Sequence, residues 1–407
     1  MRLLFVSPYI PSLIRVRPYN FLRSLARRGN QVTLLALQPP GDNAEALSEL
    51  QTLCEDFQIV PHSRRRTLQN GLQALPTRMP IQAAYSRSPA FAALARQIMA
   101  QTHFDAIHVE HLRGAVLAES LAGLPTVFDS VDSISLLFSK VLQDAPSFKS
   151  RLMAWLDLGR TRRFEGILTA RFDWVTVTSD ADRRALIELG SAGDRITVIP
   201  NGVDLDYFSP IDIPRDPLRL VFTGKMSYHA NIAAAEDLVT KIMPLVWSEM
   251  PDVQLDIVGK DPSPSVQSFG QMPNVTVTGF VPDMRPYLAR AAIAMSTVRY
   301  GVGIQNKVLE AMAMKTPVIC SPQACSALQA RSGDDLLVGE TPEAIARHIV
   351  DLLRSPQRRA HIGEAGRRYV ETHHSWDSAA AALETLYQAA IERRQRASTA
   401  QFVQPVR

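Results

Sequence analysis

Short apolar segments alternate with segments of helical periodicity along almost the whole chain, and no other feature constrains the fold as strongly. The apolar segments have the length of buried strands, and the helical segments between them can carry the chain from one strand to the next. Parallel strands connected in this way form sheets that helices cover on both faces. The predicted strands are Leu3–Val6, Val32–Leu37, Ile107–Val109, Thr126–Phe128, Trp174–Thr178 and Ile196–Ile199, then Leu218–Phe222, Gln254–Val258, Val275–Val277, Ile293–Ser296, Val318–Cys320 and Leu336–Val338. We therefore predict an α/β chain with two doubly wound domains that face one another.

The length and one Pro- and Asp-rich segment predict the domain boundaries. A chain of 407 residues is too long for a single ordinary core. The segment 204–217 separates the two series of strands and is typical of a hinge. We predict an N-terminal domain over residues 1–208, a second domain over 209–377, and a closing helix with a polar tail over 378–407. The tail from Gln395 onward is expected to be disordered.

Composition and charge exclude several classes of protein. Hydrophobic residues make up 46% and charged residues 21% of the chain, which are globular values and exclude a disordered or fibrous protein. The net charge of +4 is concentrated in the arginines of 15–28 and in Arg64–Arg66. Solvated surface is the plain interpretation of these clusters, and contact with an anionic membrane is the alternative, which the mixed segment 148–163 also suggests. No aromatic-rich basic motif accompanies them, so nucleic acid is not expected as a partner.

The cysteines and the N-terminal residues bear on the cellular compartment. Cys54, Cys320 and Cys325 are odd in number and lack paired metal spacing, as expected of reduced thiols in the cytoplasm. Pro8 and Pro11 interrupt the apolar start too early for a signal peptide. No apolar run reaches the length of about 18 residues that spans a membrane. We expect a cytoplasmic protein that can lie at the inner face of the cell membrane.

A glycine loop followed by a helix is the most informative local motif. Gly301 and Gly303 lack Cβ atoms, so a ligand can approach their backbone closely. The helix opens near Gln305, and its free N–H groups suit a phosphate or diphosphate. Asn306 and Glu310 are four residues apart and share one helix face, which puts a carboxylate one turn below the anion. A diphosphate and a carboxylate for sugar hydroxyls together indicate a nucleotide-sugar site.

Several further segments carry a resemblance to a known family. The segment 198–210, Val-Ile-Pro-Asn-Gly-Val-Asp-Leu-Asp-Tyr-Phe-Ser-Pro, resembles the interdomain signature of family-four glycosyltransferases, which have the GT-B fold. Segments 222–226, 257–259 and 279–283 follow in that family's order and spacing. The wording of 303–313 resembles a narrower branch, the sugar transferases of exosortase-associated exopolysaccharide loci. The resemblance implies two Rossmann-like domains around a central cleft, with the last helix crossing back to the N-terminal domain.

The resemblance implies roles for basic residues on the donor side. Lys225 follows a strand and Gly224, at the sheet edge where parallel sheets bind ligands, and its family counterpart meets the diphosphate. A second family lysine is missing, because Ala230 and Asn231 stand in its place. Lys307 is therefore expected to supply the missing charge, since fixed positive groups stabilise a leaving diphosphate.

The resemblance also assigns residues to the nucleoside and the sugar. Glu310 matches the family carboxylate that holds the ribose hydroxyls, whereas the first glutamate of the family pair is replaced by Val302. Backbone groups of the following loop are expected to replace it. Val281 resembles the position whose backbone meets the base, although a plain β-turn explains that segment equally well. The predicted donor-binding residues are Gly224, Lys225, Val281, Gly303, Ile304, Gln305, Asn306, Lys307 and Glu310.

Candidate catalytic residues follow a strand in the N-terminal half. His108, Glu110 and His111 lie at the end of the strand 105–109, and relatives have a functional histidine near this strand end. The sequence does not decide between Glu110 and His111; His111 is favoured for the cleft. The predicted catalytic residues are His111, Glu110, Lys225 and Lys307.

Three more residues are candidates for acceptor contact. Asp129 and Asp132 close the next strand, and capping of the following helix by Asp132 is an equal alternative. Arg15 follows the loop 7–12, which in relatives meets the acceptor or the donor phosphate.

An apparent metal motif has a simpler explanation. Asp180 and Asp182 imitate the Asp-x-Asp motif of the other glycosyltransferase fold, but Ser179 lies three residues before Asp182, as in a helix N-cap. We therefore predict no metal site.

These observations predict a retaining glycosyltransferase that needs no cofactor apart from its nucleoside-diphosphate-sugar donor. The acceptor is expected to be a glycan or a lipid-linked exopolysaccharide unit. A nucleotide-sugar epimerase of the same fold and a non-catalytic sugar-nucleotide sensor are the alternatives. A dinucleotide oxidoreductase is less favoured, because no Gly-x-Gly-x-x-Gly follows the first strand.

Overall fold

The computed structural model describes residues 1–12, 15–39, 47–121, 123–144, 148–299 and 304–402. The chain forms two compact units: the N-terminal unit, Met1–Pro200 with Trp376–Arg407, and the C-terminal unit, Asn201–Ser375. The domain boundaries predicted after residues 208 and 377 lie a few residues C-terminal to these divisions. None of the helices in the described part of the chain has the length and apolarity needed to cross a bilayer.

The N-terminal unit contains a parallel sheet of seven strands in the order β3-β2-β1-β4-β5-β6-β7. Its strands are β1 Arg2–Ser7, β2 Gln31–Gln38, β3 Asp56–Pro61, β4 Ala106–Glu110, β5 Thr126–Val131, β6 Trp174–Val177 and β7 Ile196–Val198. Its helices are α1 Val16–Arg27, α2 Leu47–Leu53, α3 Arg64–Ala74, α4 Ile81–Ala84, α5 Pro89–Gln101, α6 His111–Leu117, α7 Ile134–Asp144, α8 Phe148–Gly166, α9 Leu168–Arg171 and α10 Asp180–Glu188.

The C-terminal unit contains a parallel sheet of six strands in the order β10-β9-β8-β11-β12-β13. Its strands are β8 Asp216–Thr223, β9 Gln254–Val258, β10 Val275–Val277, β11 Ala291–Ser296, β12 Val318–Cys320 and β13 Leu337–Val338. Its helices are α11 His229–Asp237, α12 Met243–Glu249, α13 Pro264–Phe269, α14 Arg285–Arg290, α15 Asn306–Ala313, α16 Pro322–Cys325, α17 Pro342–Arg354 and α18 Pro356–His373.

The last helix, α19 Trp376–Phe402, packs on the N-terminal unit, as the resemblance implied. Its Trp376 and Tyr387 are buried in the same core cluster as Phe21 of α1. The helix continues through residues 395–402, where the sequence predicted a disordered tail. For residues 395–402 that prediction was wrong, because this segment contains neither Gly nor Pro and is rich in residues that a helix accepts. The remainder of the predicted tail, residues 403–407, lies outside the described residues.

The central strands are apolar on both sides because helices cover both faces of each sheet. Leu3, Leu4, Phe5 and Val6 of β1 are all completely buried. The predicted α/β class with two doubly wound sheets is thus confirmed. The strand β3 was missed, since it lies at the edge of its sheet and is largely half-buried or exposed, so its sequence is not a continuous apolar run.

The strand orders determine where ligands can bind. In the first sheet the chain adds strands on one side of β1 up to β3, and then on the other side from β4 onward. In the second sheet the same reversal lies between β8 and β11. Open parallel sheets bind ligands beyond the carboxyl ends of strands at such switch points. The predicted site residues follow these strand ends in both units.

Candidate functional site

Three glycines follow the carboxyl ends of β8, β9 and β10, which are adjacent in the second sheet. Gly224, Gly259 and Gly279 all have positive φ, at 152°, 148° and 70°. A Cβ on Gly259 would lie 1.7 Å from the carbonyl oxygen of Gly224, so only glycine fits there. The missing side chains thus let Gly259 pack against the backbone of Gly224, and let Asn231 and Lys307 lie beside Gly224, whereas a Cβ on Gly279 would meet nothing within 4 Å.

The helix α15 begins beside these strand ends, and within the described part of the chain, which excludes residues 300–303, no side chain caps it. Gln305 occupies the N-cap position in an extended conformation and makes no side-chain cap bond. The Oδ1 atom of Asn306 is buried and has no hydrogen-bond partner among the described residues. Gln305 thus leaves the first N–H groups of α15 without a side-chain cap, and the phosphate expected at this helix start remains a prediction.

Lys307 places its ammonium next to Gly224, the residue that follows β8. Its Nζ donates to Oδ1 of Asn231 at 2.6 Å and lies 4.7 Å from the centre of the Phe222 ring. A Cβ on Gly224 would come within 3.3 Å of the same nitrogen. Burial lowers the pKa of Lys307 to about 8, although the nearby Glu310 opposes the shift. The ammonium thus contacts Asn231, and the expected replacement of the second family lysine by Lys307 remains a prediction.

Glu310 lies one helical turn beyond Asn306 and is half-buried. Burial raises the pKa of its carboxyl to about 7, and Lys307 partly opposes this effect. Within the described part of the chain the carboxylate accepts no hydrogen bond from protein. A carboxylate that is desolvated and lacks a protein donor is suited to accept hydrogen bonds from ligand hydroxyls.

The other donor-side predictions have different surroundings. The side chain of Lys225 is exposed, while its carbonyl accepts from Asn231 Nδ2 at 3.0 Å. Val281 packs partly buried against the core, and the side chain of Ile304 is buried in it. Gly303 lies outside the described residues, together with Gly301 and Val302.

Glu110, at the end of β4, points into the N-terminal unit. Tyr9 donates its hydroxyl to Oε1 of Glu110 at 3.0 Å, and Nε2 of His108 lies 3.6 Å from Oε2. The Nδ1 of His108 is 2.9 Å from the hydroxyl of Tyr387 on α19. Burial raises the pKa of Glu110, with His108 opposing and Asp129 adding to the rise. Tyr9 and Tyr387 were not predicted as site residues.

His111 is the member of the pair Glu110 and His111 that keeps contact with solvent. Its φ is 64°, a conformation that non-glycine residues rarely adopt outside functional or strained turns. Its Nδ1 accepts a hydrogen bond from the backbone N–H of Arg113 at 3.3 Å. Burial and the charges of Arg113 and Arg15 lower the pKa of His111 to about 4. The imidazole is therefore neutral at neutral pH.

Asp129 is committed to a buried ion pair. Arg17 binds it through Nε at 2.6 Å and Nη2 at 3.1 Å, and Thr176 donates its hydroxyl at 2.9 Å. Burial works to raise the pKa of Asp129, but the Arg17 guanidinium holds it below its usual value. The interpretation of the 15–28 arginines as solvated surface is thus wrong for Arg17, which is buried.

Asp132 does not cap a helix. Ser133 caps α7, since its hydroxyl accepts from the N–H of Leu136 at 3.3 Å. Asp132 instead accepts from the hydroxyl of Thr178 at 2.9 Å, and burial together with Asp182 raises its pKa to about 6. Its alternative assignment as a capping residue was therefore wrong.

Arg15 lies over the aromatic ring of Tyr9. The centre of its guanidinium is 3.9 Å from the ring centroid, which is the geometry of a cation–π contact. Because Tyr9 also binds Glu110, Arg15 belongs to the same group of side chains as the end of β4.

The Asp-x-Asp segment is a helix cap, as predicted. The hydroxyl of Ser179 accepts from the N–H of Asp182 at 3.2 Å. Among the described residues, His108, Glu110 and Asp129 do place potential ligand atoms within 4.8 Å of one another. We assign no metal to this group, because the Arg17 guanidinium already occupies both oxygens of Asp129 and would repel a cation.

Comparison with known protein families identifies the family to which this chain belongs. The model "Glycosyltransferase Family 4" matches residues 15–207, and "Glycosyl transferases group 1" matches residues 217–355. The two matches lie in order, and together they cover most of both units.

The chain belongs to the family-four glycosyltransferases.

Curated relatives agree with this assignment. A D-inositol 3-phosphate glycosyltransferase of Streptomyces scabiei is 24% identical over 326 residues, which are 72% of this chain and 70% of the relative. A GDP-mannose-dependent monoacylated alpha-(1-6)-phosphatidylinositol monomannoside mannosyltransferase of Corynebacterium glutamicum is 30% identical over 207 residues. That match covers 44% of this chain and only 52% of the relative.

Solved structures show that this glycosyltransferase has the GT-B fold. Sucrose-phosphate synthase from Thermosynechococcus elongatus superposes with a TM-score of 0.67 at 19% identity, over 97% of this chain and all 100% of the other. Anabaena HepE, in complex with UDP and glucose, superposes with a TM-score of 0.67 at 14% identity, over 96% and 100% of the two chains. At these identities the likeness establishes the fold alone.

Proposed function

We propose that this glycosyltransferase moves a sugar from a nucleoside-diphosphate sugar to an acceptor hydroxyl and retains the anomeric configuration. The main support for this donor class is that Gly224, Lys307 and the start of α15, which Gln305 does not cap, lie close together beside the carboxyl ends of β8 to β10. A glycine backbone, an ammonium and the start of a helix together suit a diphosphate.

The chemistry assigned to each group follows from its charge and surroundings. Negative charge develops on the leaving diphosphate, and Lys307 with the α15 dipole stabilises it. Glu310 accepts hydrogen bonds from the ribose hydroxyls, because no group in the described part of the chain donates to its carboxylate. His111, neutral at neutral pH, offers an uncharged hydrogen-bonding group to the substrate. The family resemblance adds retention and a departing phosphate that helps to remove the acceptor proton.

The comparisons support the donor class without fixing the base or the sugar. One relative is named for its dependence on GDP-mannose, and HepE was solved with UDP and with UDP-glucose. Both donors carry a diphosphate, the group for which the residues around Gly224 are suited. We therefore propose a nucleoside-diphosphate sugar without choosing between uridine and guanosine.

We propose a lipid-linked acceptor in exopolysaccharide synthesis. The segment 303–313 resembles the sugar transferases of exosortase-associated loci, and the relative from Corynebacterium is named for a phosphatidylinositol mannoside substrate. Such an acceptor requires the enzyme to work at a bilayer surface.

We propose that transfer needs no divalent metal, because Lys307 and the helix start already neutralise the leaving group. Activity should therefore persist in excess chelator. Loss of activity in chelator, with recovery on adding magnesium or manganese, would contradict this part of the proposal.

Nucleotide binding tests the donor assignment. UDP or GDP should raise the melting temperature of the chain, since a ligand that binds only the folded state stabilises it. Glu310→Ala should reduce that shift, whereas Glu340→Ala, at an exposed glutamate of the same unit, should leave it unchanged. Equal shifts in melting temperature for the wild type and for Glu310→Ala would show that Glu310 does not contribute to nucleotide binding. No shift with either nucleotide would contradict the proposed donor class.

A further inference from the structure

The helix α3 exposes an apolar stripe. Leu68, Leu72 and Leu75, which directly follows the last residue of the helix, have exposed fractions of 66%, 57% and 46%. Their spacing of four and three residues places them on one face of the helix. A soluble chain normally turns such a stripe toward its core, so its exposure indicates contact with something outside the unit.

The helix α8 exposes a second stripe. Trp155 is 68% exposed, and Leu152 and Leu156 are 42% and 37% exposed. Positions 152, 155 and 156 share one helix face, while Ala154 and Asp157 on the other face are buried. Trp155 is the most exposed aromatic side chain among the described residues of the N-terminal unit.

One arginine shows that the two stripes adjoin. The guanidinium of Arg160 donates to the carbonyl of Leu156 at 2.5 Å and to the carbonyl of Leu75 at 2.7 Å. One carbonyl from each stripe therefore binds the same guanidinium, so the two stripes lie next to each other. We call the six residues Leu68, Leu72, Leu75, Leu152, Trp155 and Leu156 the α3/α8 surface.

The charge around the α3/α8 surface is positive. The sequence contains no Asp or Glu between Asp56 and Asp105, a stretch that includes the exposed Arg64, Arg65 and Arg66. The arginines of this stretch are therefore not neutralised by any acid within it.

The two acids of α8 do not offset this charge, because both are buried. Asp157 accepts from the N–H groups of Ile81 at 2.8 Å and Gln82 at 3.2 Å. Glu165 accepts from the N–H of Ile134 at 2.7 Å. Each carboxylate thus accepts hydrogen bonds from the first N–H groups of a neighbouring helix. The α8 arginines Arg151, Arg162 and Arg163, by contrast, are exposed.

We propose that the α3/α8 surface docks this protein on an anionic phospholipid bilayer. Leucines enter the boundary between headgroups and acyl chains, where tryptophan is also favoured, and arginines meet the lipid phosphates. A surface rich in exposed arginines, with exposed leucines and a tryptophan, fits both properties of such a bilayer at once. The sequence suggested membrane contact for the 15–28 arginines, for Arg64–Arg66 and for segment 148–163. The proposal keeps the last two and leaves out the first, since Arg17 is buried and Arg28 pairs with Glu384. It is independent of the proposed glycosyl transfer.

Sedimentation of the full-length protein with vesicles tests the proposal. Vesicles of phosphatidylglycerol mixed with phosphatidylcholine should bind it, pure phosphatidylcholine should bind it far more weakly, and added salt should weaken the binding. Each surface arginine contributes about fivefold to binding, so Arg64→Gln with Arg65→Gln should weaken it by about 25-fold. The double variant Leu68→Ser with Leu72→Ser should also weaken it, with an unchanged melting temperature because both side chains are exposed.

Matched controls lie in the C-terminal unit. Arg331→Gln with Arg354→Gln, and Leu245→Ser with Met272→Ser, change exposed residues of the same types and should alter vesicle binding less than twofold. Vesicles should also shift the tryptophan emission of the wild type to shorter wavelength, and Trp155→Phe should remove most of that shift.

Three results would overturn the proposal. They are equal binding to anionic and neutral vesicles, binding that both α3 variants leave unchanged, and no binding to either vesicle. The last result would leave an acidic protein as the partner that fits the surface.

Discussion

Replacing Lys307 by methionine tests the donor site through both affinity and pH. The Lys307 ammonium lies 2.6 Å from Asn231 Oδ1 and next to Gly224, where the diphosphate is placed. A hydrogen bond to a charged group contributes about 1.5–3 kcal/mol, so Lys307→Met should weaken UDP or GDP binding about 10- to 150-fold. The fold should remain intact, because methionine keeps most of the volume and removes a desolvated charge.

The pH dependence gives a sharper test of the same residue. The pKa of Lys307 is about 8 in the free protein, and a bound diphosphate favours the charged ammonium and raises it further. Binding should therefore weaken by up to about tenfold per pH unit as the pH rises above about 8. Below about pH 7 the protonation of Glu310 acts on binding as well, so the range above pH 8 is the one that reports on Lys307. The Lys307→Met variant should lose this slope, since it has no proton to lose at that position.

Isothermal titration of UDP and GDP across this pH range measures both quantities. Lys241→Met is the matched control, because Lys241 of the same unit is exposed and pairs with Asp237. It should change the affinity less than twofold. Wild-type affinity in Lys307→Met, or the same loss of affinity above about pH 8 in the variant, would refute the assignment of Lys307 to the diphosphate.

Three further predictions concern stability, measured by urea unfolding. Arg17→Met should cost about 3–5 kcal/mol by leaving Asp129 buried and unpaired, while Arg28→Met at the exposed pair with Glu384 should cost under about 1 kcal/mol; equal losses would contradict this. Gly259→Ala should destabilise the fold more than Gly333→Ala. Both glycines have positive φ, but only a Cβ at position 259 would clash with backbone atoms, so a larger loss at position 333 would contradict this reason. Burial raises the pKa of Asp132 from 3.8 to about 6, so the folded state is destabilised when this carboxyl is ionised. The destabilisation is complete above about pH 6 and absent below pH 3.8. Asp132→Asn should therefore stabilise by up to about 3 kcal/mol above about pH 6, with a gain that vanishes as the pH falls to 3.8; a gain independent of pH would exclude this cause.

Most strands could be predicted from the sequence because of their burial. Leu3–Val6 is buried on both faces and therefore reads as an uninterrupted apolar run. Asp56–Pro61 has only one neighbouring strand, and its mixed polarity left no such signal. Helix ends were predicted where a cap residue is local in sequence, as for Ser179 and Asp182.

The two candidate sites differ in how far the sequence could predict them. Gly224, Lys307 and Glu310 belong to short segments whose glycine and helix patterns are local. The contacts of the N-terminal unit join distant residues instead: Arg17 and Asp129 are 112 positions apart, and His108 and Tyr387 are 279 apart. These pairs depend on how α1 and α19 pack on the sheet, which no local pattern contains.

The most direct test of glycosyl transfer is the release of nucleoside diphosphate from a panel of UDP- and GDP-sugars, with and without a membrane lipid extract as the acceptor. We predict that one donor releases its nucleoside diphosphate only when the extract is present, and that the sugar is recovered on a lipid with its anomeric configuration retained. Release of nucleoside diphosphate together with a free modified sugar, in the absence of any acceptor, would instead identify an epimerase. No release from any donor, in a protein that still binds UDP or GDP, would contradict transfer and favour a sugar-nucleotide sensor.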